Sequence, residues 1–143
     1  MDIRPITPDY AVSPQIDPED FAAIAAAGYR TVIDNRPDAE IPATHHAGAM
    51  RAAAEAAGLA FVFNPVIGGM LTEENVRAQG AAIAAAEGPV LAYCASGNRS
   101  SIVWALSQAG TRPADELIGL PARFGYQLEG LRPMIEALAA ERT

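Results

Sequence analysis

The sequence predicts an α/β domain, and the main evidence is three regularly spaced glycines. Gly28, Gly58 and Gly88 lie 30 residues apart, and each ends an alanine-rich stretch and precedes a short apolar run. A glycine just past a helix end adopts the left-handed conformation at little cost, so we expect a helix before each glycine and a strand after it. This rhythm is typical of βα units with right-handed crossovers. We therefore predict a parallel central sheet of about four strands flanked by helices.

The strands are predicted over short apolar runs. Those that follow the glycines cover Tyr29–Ile33, Leu59–Phe63 and Pro89–Tyr93. Near the N-terminus, Ile3–Ile6 and Tyr10–Val12 are expected to add a small hairpin or edge strand. Apolar runs of this length, bounded by glycine and proline, are typical of strands buried in a sheet.

The helices are predicted from their capping residues. Asp17 precedes a proline and two acidic residues, and Thr72 precedes two glutamates, as at the starts of many helices. Thr44 is expected to cap a helix over 45–57. Alanine-rich segments predict helices over 21–27 and 78–86. After the last strand, helices are predicted over 100–109, which Gly110 closes, and over 113–120 and 128–140.

Composition excludes several classes of function. We expect one domain over residues 1–143, since that length is typical of a domain. The 10 basic residues are all arginine, and with 17 acidic residues they give a net charge of −7, so we expect no binding to nucleic acid. The only cysteine, Cys94, excludes an internal disulfide and a cysteine-rich zinc site. The chain shows no signal-peptide pattern and no membrane-spanning run, so we expect a cytoplasmic protein without a membrane partner.

One segment carries the residue types needed for chemistry. It starts with Cys94 at the end of a predicted strand, where ligands bind in parallel sheets. Four residues separate Cys94 from Arg99: Ala95, Ser96, Gly97 and Asn98. Their backbone amides can turn inward to hold an anion, and the dipole of the following helix would add to that field. The same field stabilises a thiolate nucleophile, Arg99 can hold an oxyanion, and Ser100 is expected to donate to the sulfur.

This segment resembles the active-site loops of two families. Cys94–Ser100 is similar to the Cys-x4-Arg loop of single-domain rhodaneses and, one residue shorter, to the Cys-x5-Arg loop of cysteine-dependent protein phosphatases. Across the wider chain, Ala11–Gln15, Gly28–Arg36 and Gly88–Cys94 look like the corresponding parts of dual-specificity-phosphatase-like domains. The chain most resembles the bacterial phosphatase-like domain of beta-lactamase hydrolase-like proteins (DUF442), up to about Leu138.

The resemblance to phosphatases implies a covalent mechanism. Cys94 would attack phosphorus, and Arg99 with the amides of 95–99 would stabilise the oxygens of a small oxyanion or phosphorylated substrate. Ser100 would help the thiolate leave in the second step. We expect neither a cofactor nor a metal ion, since the adjacent His45 and His46 cannot face one ligand together on a helix.

The general acid of that mechanism is not evident from the sequence. Dual-specificity phosphatases usually carry an aspartate on the loop after the strand that precedes the cysteine strand, and here residues 64–71 contain no acid. Asp34 is the candidate that we name for this role. Asp38, Glu73 and Glu74 are other candidates, although Asp38 fits a turn and the two glutamates fit the start of a helix.

Two other functions stay open. The short loop and the missing acid favour a rhodanese-like sulfurtransferase, in which Cys94 would carry a persulfide between a sulfur donor and an acceptor. Rhodanese loops often have an arginine directly after the cysteine, where this chain has Ala95. The second alternative is a non-catalytic regulatory domain that binds an oxyanion.

The remaining residues of note are assigned mostly structural roles. Trp104 is expected in the core, and 68–70 are expected to form a loop. Three further residues could line the mouth of the site: Arg36, Arg123 and Tyr126.

Overall fold

A five-stranded sheet forms the centre of the computed structural model, which describes residues 1–143. The strands are β1 (Arg4–Thr7), β2 (Tyr10–Ser13), β3 (Thr31–Asp34), β4 (Ala60–Phe63) and β5 (Val90–Tyr93). Their order in the sheet is β1-β2-β5-β3-β4. The last four run parallel, and β1 pairs with β2 as an antiparallel edge hairpin. The predicted fold class, a parallel sheet of about four strands with an added N-terminal hairpin, is confirmed.

Six helices cover the two faces of the sheet. They are α1 (Phe21–Ala26), α2 (Ala47–Ala56), α3 (Glu73–Ala85), α4 (Asn98–Ser107), α5 (Ala114–Ala122) and α6 (Arg132–Glu141). Helices α1 and α2 pack with one face of the sheet, while α3 to α6 pack with the other. None of these helices is both long enough and apolar enough to cross a membrane.

The two faces of β5 contribute to two separate cores. Val90 and Ala92 belong to the core under α3 to α6, and Leu91 and Tyr93 belong to the core under α1 and α2. Successive side chains of a strand point to opposite faces, which explains the alternation. All four residues are buried, as in a strand at the centre of a parallel sheet.

Strand register brings the candidate loop to the middle of one sheet edge. Tyr93, the last residue of β5, pairs with Ser13 of β2 on one side and with Asp34 of β3 on the other. The carboxyl ends of these three parallel strands therefore meet at one edge. Cys94 and Asn35 follow directly after their strands at that edge, where ligands bind in open α/β sheets.

The three glycines of the repeat differ in their role. Gly28 and Gly58 have φ angles of 102° and 83°, as expected for left-handed residues at helix ends. The same expectation for Gly88 is wrong, because α3 ends at Ala85 and Gly88 has no positive φ. A Cβ atom at Gly88 would lie 2.5 Å from Cγ of Arg30, so close packing explains this glycine.

Of the two threonines predicted to cap helices, one does so in the structure and the other does not. Thr72 caps α3 as expected, since its Oγ1 accepts a hydrogen bond from Asn75 N at 3.1 Å. Thr44 does not cap α2, because that helix begins at Ala47 with His46 as its N-cap residue. The Asp38 carboxylate accepts from Ala47 N at 2.8 Å instead, so a residue from the preceding turn satisfies the helix start.

Candidate active site

Cys94 lies at the base of a tight turn between β5 and α4. Its side chain is buried, with the residue only 1% exposed. The backbone amide of Gly97 donates a hydrogen bond to Sγ at 3.1 Å. The backbone of the loop is therefore already turned toward the sulfur.

Gly97 is required at this turn for two reasons. It is the N-cap residue of α4 and has a φ of 92°, a conformation that favours glycine. A Cβ atom there would lie 2.2 Å from Oη of Tyr126. Any side chain at this position would strain the backbone and displace the tyrosine.

Tyr126 holds the outer side of the loop. Its hydroxyl donates to the carbonyl oxygen of Ser96 at 2.7 Å and accepts from Nη1 of Arg4, also at 2.7 Å. The Arg4 guanidinium carbon lies 5.6 Å from the centre of the tyrosine ring. Burial raises the pKa of Tyr126, so the hydroxyl stays neutral at physiological pH. Tyr126 thus lies at the site, as the sequence suggested, while Arg123 donates to the carbonyl oxygens of β1.

Helix α4 begins directly behind the loop. It starts at Asn98, two residues earlier than the sequence predicts, so Arg99 lies in its first turn. The amide of Asn98 donates to Oγ of Ser96 at 3.2 Å, which tightens the turn. The first amides of a helix have no acceptor inside the helix, and the helix dipole makes this end positive.

Arg99 is held in one orientation by two partners. Nη1 and Nη2 donate to the two carboxylate oxygens of Glu40, each at 2.8 Å, and Nη1 also donates to the carbonyl oxygen of Val66 at 2.8 Å. A guanidinium has five N–H groups in a fixed plane. The two that remain, on Nε and Nη2, lie side by side along one edge of the group. That edge offers the parallel donors that a bidentate oxyanion needs.

The charges of the site are coupled through Arg99. Its pKa is raised chiefly by the hydrogen bond to Glu40, and the charge of Cys94 adds to the rise. The pKa of Glu40 is lowered in turn, first by Arg99 and then by Arg36, whose Nε lies 3.4 Å from Oε1. Glu40 is therefore ionised at neutral pH and is a poor general acid.

Sequence reasoning missed Glu40. Its spacing of four residues from Arg36 indicates a local ion pair, but nothing in the sequence connects it to Arg99, 59 residues later. Arg36 is linked to the loop through Gln15. Nη1 of Arg36 donates to the side-chain oxygen of Gln15 at 3.3 Å, and the backbone amide of Gln15 donates to the Ala95 carbonyl oxygen at 3.3 Å. Arg36 thus lies beside the site, as the sequence suggested.

Ser100 faces a buried polar network instead of the sulfur. Its Oγ donates to Oδ1 of Asn35 at 2.9 Å, so the hydrogen bond expected toward Cys94 is not formed. Its carbonyl oxygen accepts from Oη of Tyr10 at 2.8 Å. Ser100 is fully buried, and both contacts fix the first turn of α4 against the sheet.

Gln79 of α3 is the centre of that network. Its Oε1 accepts from Nδ2 of Asn35 and of Asn64, both at 2.9 Å, and its Nε2 donates to Oη of Tyr10 at 3.0 Å. Gln79 is fully buried. Buried polar groups that are all satisfied hold one arrangement rigidly. The sequence signal was present but overlooked: two asparagines follow β3 and β4, and one glutamine lies on the packed side of α3.

Asp34 is not brought together with Cys94. It lies two residues after Val32 on β3, and so on the same face of the strand, and it pairs with Tyr93. Both of those residues pack in the core under α1 and α2. Its Oδ1 accepts from the Arg36 amide at 2.9 Å, and it has no hydrogen bond to the loop. Burial raises the pKa of Asp34 to about 6. The nearby Tyr93 hydroxyl, whose own pKa is raised by burial and then by Asp34, makes no hydrogen bond of normal geometry.

The other residues that the sequence singled out have structural contacts. Glu73 and Glu74 are exposed in the first turn of α3. Nε2 of His45 lies 2.7 Å from Asp17, and the ring of His46 contacts a backbone carbonyl oxygen. No group of three or more His, Cys, Asp or Glu residues is arranged to hold a metal ion. Trp104 is in the core, as expected, and stacks on Tyr10 with the ring centres 5.8 Å apart.

The fold and the site together define a class of protein. A central strand of a parallel sheet is followed directly by a cysteine, and a glycine turn then leads into a helix whose first turn carries an arginine. This arrangement is that of the cysteine-phosphatase-like α/β domains.

The chain belongs to the family described as the phosphatase-like domain of beta-lactamase hydrolase-like proteins, whose model matches residues 2–111. It is 41% identical over 130 residues to a beta-lactamase hydrolase-like protein of Xylella fastidiosa. That match covers 90% of this chain and 30% of the relative, so the chain spans less than a third of the relative's length. The family resemblance found in the sequence is confirmed.

Solved structures agree with this assignment. A candidate phosphatase from Neisseria meningitidis superposes with a TM-score of 0.79 at 32% identity, covering 96% of this chain and 99% of that one. A DUF442 protein from Shewanella putrefaciens gives a TM-score of 0.70 at 22% identity, covering 97% and 87%. The second likeness shows the fold alone.

Proposed function

We propose that the chain is a cysteine-dependent hydrolase of phosphate monoesters. The observation that carries the proposal is the fixed guanidinium of Arg99, which has two parallel N–H groups left over beside the Cys94 loop. The backbone N–H groups of the loop and of the first turn of α4 add a positive electrostatic potential beside these two N–H groups. The similarity to the candidate phosphatase of Neisseria meningitidis supports this reading.

The proposed reaction has two displacement steps. The Cys94 thiolate attacks phosphorus, the P–O bond to the leaving group breaks, and a phosphocysteine forms. Water then attacks the same phosphorus and the S–P bond breaks. Inorganic phosphate is released and the Cys94 thiolate is regenerated. Arg99 and the amides of 95–99 would stabilise the oxygens in both transition states, usually the largest contribution of such a site.

Ser100 would act in the second step. Its hydroxyl lies in the turn next to Arg99 but donates to Asn35 in this structure. To assist departure of the thiolate, it would exchange that acceptor for the sulfur. The Asn35 carbonyl also accepts from Gln79 at 3.2 Å, so it keeps one donor after the exchange.

The leaving group would depart without strong acid assistance. Glu40 is held ionised by Arg99, and Asp34 accepts from the Arg36 amide. Positioned acids typically contribute about 10² to 10⁴ in rate, so esters of acidic phenols should be favoured over alkyl esters. We expect the rate to fall steeply as the pKa of the leaving alcohol rises. An Asp34→Asn variant should keep that dependence, whereas a flatter dependence in the wild type than in the variant would make Asp34 the acid.

Intact-mass analysis tests the nucleophile. Brief incubation with an aryl phosphate, followed by acid quench, should add one phosphoryl group to the wild-type chain and none to Cys94→Ser. Hydrolysis should be lost in the same variant while its thermal unfolding is retained. Turnover that persists in Cys94→Ser would overturn the proposal.

A sulfurtransferase is the second candidate. It is favoured by the loop from Cys94 to Arg99, which is one residue shorter than a phosphatase loop, and by the ionised Glu40, since sulfur transfer needs no positioned acid. The thiolate would attack the outer sulfur of thiosulfate and release sulfite, leaving a persulfide. Cyanide would then attack that outer sulfur, forming thiocyanate and restoring the thiolate. A gain of one sulfur atom on Cys94 after incubation with thiosulfate would support this function. Phosphate binding with neither activity would leave an oxyanion-binding regulatory domain.

A further inference from the structure

A mostly apolar cavity opens beside the candidate active site. Its volume is about 280 Å³, and seven of its nine lining residues are hydrophobic. Arg99 is the only charged residue among them. Ligand pockets usually measure about 300–1,000 Å³, so this cavity has the size of a subsite for one ring or a short chain.

Three segments of the chain form its walls. Arg99, Ile102 and Leu106 lie three and four residues apart on α4, so they share one face of that helix. Val66 comes from the segment between β4 and α3, and Met134 comes from α6. A residue of the oxyanion site and an apolar surface are therefore built into one helix face.

The rim of the cavity exposes large apolar side chains. Ile67 is 54% exposed and Met134 is 52% exposed, and both line the cavity. Met70, which is 66% exposed, lies in the same loop but does not line the cavity. The only other large hydrophobic residue exposed to this degree is Met1. Clustered apolar exposure of this kind marks a binding site.

The cavity and the oxyanion site share a wall. The Val66 carbonyl that accepts from Arg99 at 2.8 Å belongs to a residue that lines the cavity. We propose that this cavity binds the apolar alkyl or aryl group of the substrate whose oxyanion is held by Arg99 and the Cys94 loop. The proposal rests on the proposed function, because it assigns the second half of the same ligand. The substrate class is then an apolar phosphate monoester, not a sugar phosphate or a nucleotide.

A homologous series of ligands tests this assignment without turnover. In n-alkylphosphonates, from methyl to hexyl, carbon replaces the scissile oxygen while the oxyanion stays the same. NMR titration of the whole chain should show the dissociation constant falling about fourfold for each methylene that enters the cavity, then levelling off when the cavity is full. The amide shifts of 66–71, of Leu131 and of Met134 should change more as the chain length grows.

Two methionines of similar exposure provide a matched pair of variants. Met134→Gln removes apolar surface from the cavity at nearly constant volume, and Met70→Gln makes the same change outside it. The first should flatten the chain-length dependence, while the second should leave it unchanged. Methylphosphonate should bind all three proteins equally, which shows that the fold and the loop are intact.

The outcomes separate the two proposals. If methylphosphonate binds with an affinity that hexylphosphonate does not exceed, the oxyanion site stands and the apolar subsite is wrong. If affinity rises with chain length but Met134→Gln does not change that dependence, the alkyl chain binds elsewhere and its assignment to this cavity is wrong. If no phosphonate binds and Cys94 is not phosphorylated, both proposals fail. A flat series together with concentration-dependent dimers that Met134→Gln dissociates would make this face an interface between copies.

Discussion

Glu40 determines what Arg99 can do. Its two oxygens take one edge of the guanidinium, and the Val66 carbonyl takes a further N–H group. The carboxylate therefore positions the arginine without using the edge that remains for an oxyanion. This ion pair is partly exposed, with side-chain exposures of 17% for Arg99 and 33% for Glu40, so its value lies in orientation more than in stability.

Replacing Glu40 tests this positioning role. In Glu40→Gln the charged hydrogen bonds become neutral ones and Arg99 gains freedom, so we expect kcat for an aryl phosphate to fall about tenfold or more. KM should fall or stay constant, because a negative charge beside an anionic substrate is removed. Steady-state kinetics separate the two quantities. Glu74→Gln, the same change at an exposed position, should leave both unchanged. A rise in kcat would mean that Glu40 competes with the substrate.

Gly97 and Tyr126 form a second test at the residue scale. In Gly97→Ala the backbone is left-handed and the new Cβ meets the tyrosine hydroxyl, so we expect a loss of at least about 1–2 kcal/mol of unfolding free energy. Tyr126→Phe removes that oxygen together with its bonds to Ser96 and Arg4. The double variant should be more stable than the sum of the single changes predicts. Urea denaturation of the four proteins measures the difference, and simple additivity would contradict the contact.

At the scale of elements, one network joins the sheet to the helices around the loop. It links residues that follow β3 and β4 to α3 through Gln79 and to α4 through Ser100. The junction of β5 and α4 is thereby fixed from below, while Tyr126 fixes it from outside. The loop is therefore held in place from both sides.

Removing the centre of this network should destabilise the protein. Gln79→Leu leaves one N–H of the Asn35 side-chain amide and one of the Asn64 amide without an acceptor in a buried site, while the other N–H of each keeps its backbone acceptor. Unsatisfied buried groups cost about 1–3 kcal/mol each, so we expect a loss of several kcal/mol by chemical denaturation. The exposed Gln127→Leu is the matched control and should change stability by less than about 0.5 kcal/mol. A mild effect of Gln79→Leu would show that water replaces the side chain.

For the whole molecule, Asp34 links stability to pH. Burial raises its pKa to about 6 in the folded chain, above the ordinary value near 4, so the folded state binds a proton that the unfolded state has lost between these values. This carboxyl therefore lowers stability as pH rises from about 4 to 6. Relative to the wild type, Asp34→Asn should gain up to about 3 kcal/mol between pH 4 and pH 7. Unfolding free energies of both proteins at the two pH values measure this, and a constant difference would contradict it.

The sequence determined the fold through local signals that survive folding. Glycines at helix ends, capping residues and short apolar runs are set by neighbours a few residues apart, and the βα rhythm follows from them. Cys94, Gly97 and Arg99 were identified for the same reason, because a strand end, a glycine turn and a helix start lie within one short segment. Gly88 and Thr44 were misread because their surroundings come from distant residues and from the preceding turn.

Only the tertiary structure decided the surroundings of that segment. Glu40 and Val66 reach Arg99 from loops far away in the sequence, and no local pattern encodes their meeting. The direction of Asp34, away from the sulfur, depends on which face of the sheet each strand position occupies. The sequence thus determined by itself the candidate nucleophile and the loop that carries it. Chain packing decided how the arginine is aimed, which carboxyls are ionised and where the apolar cavity opens.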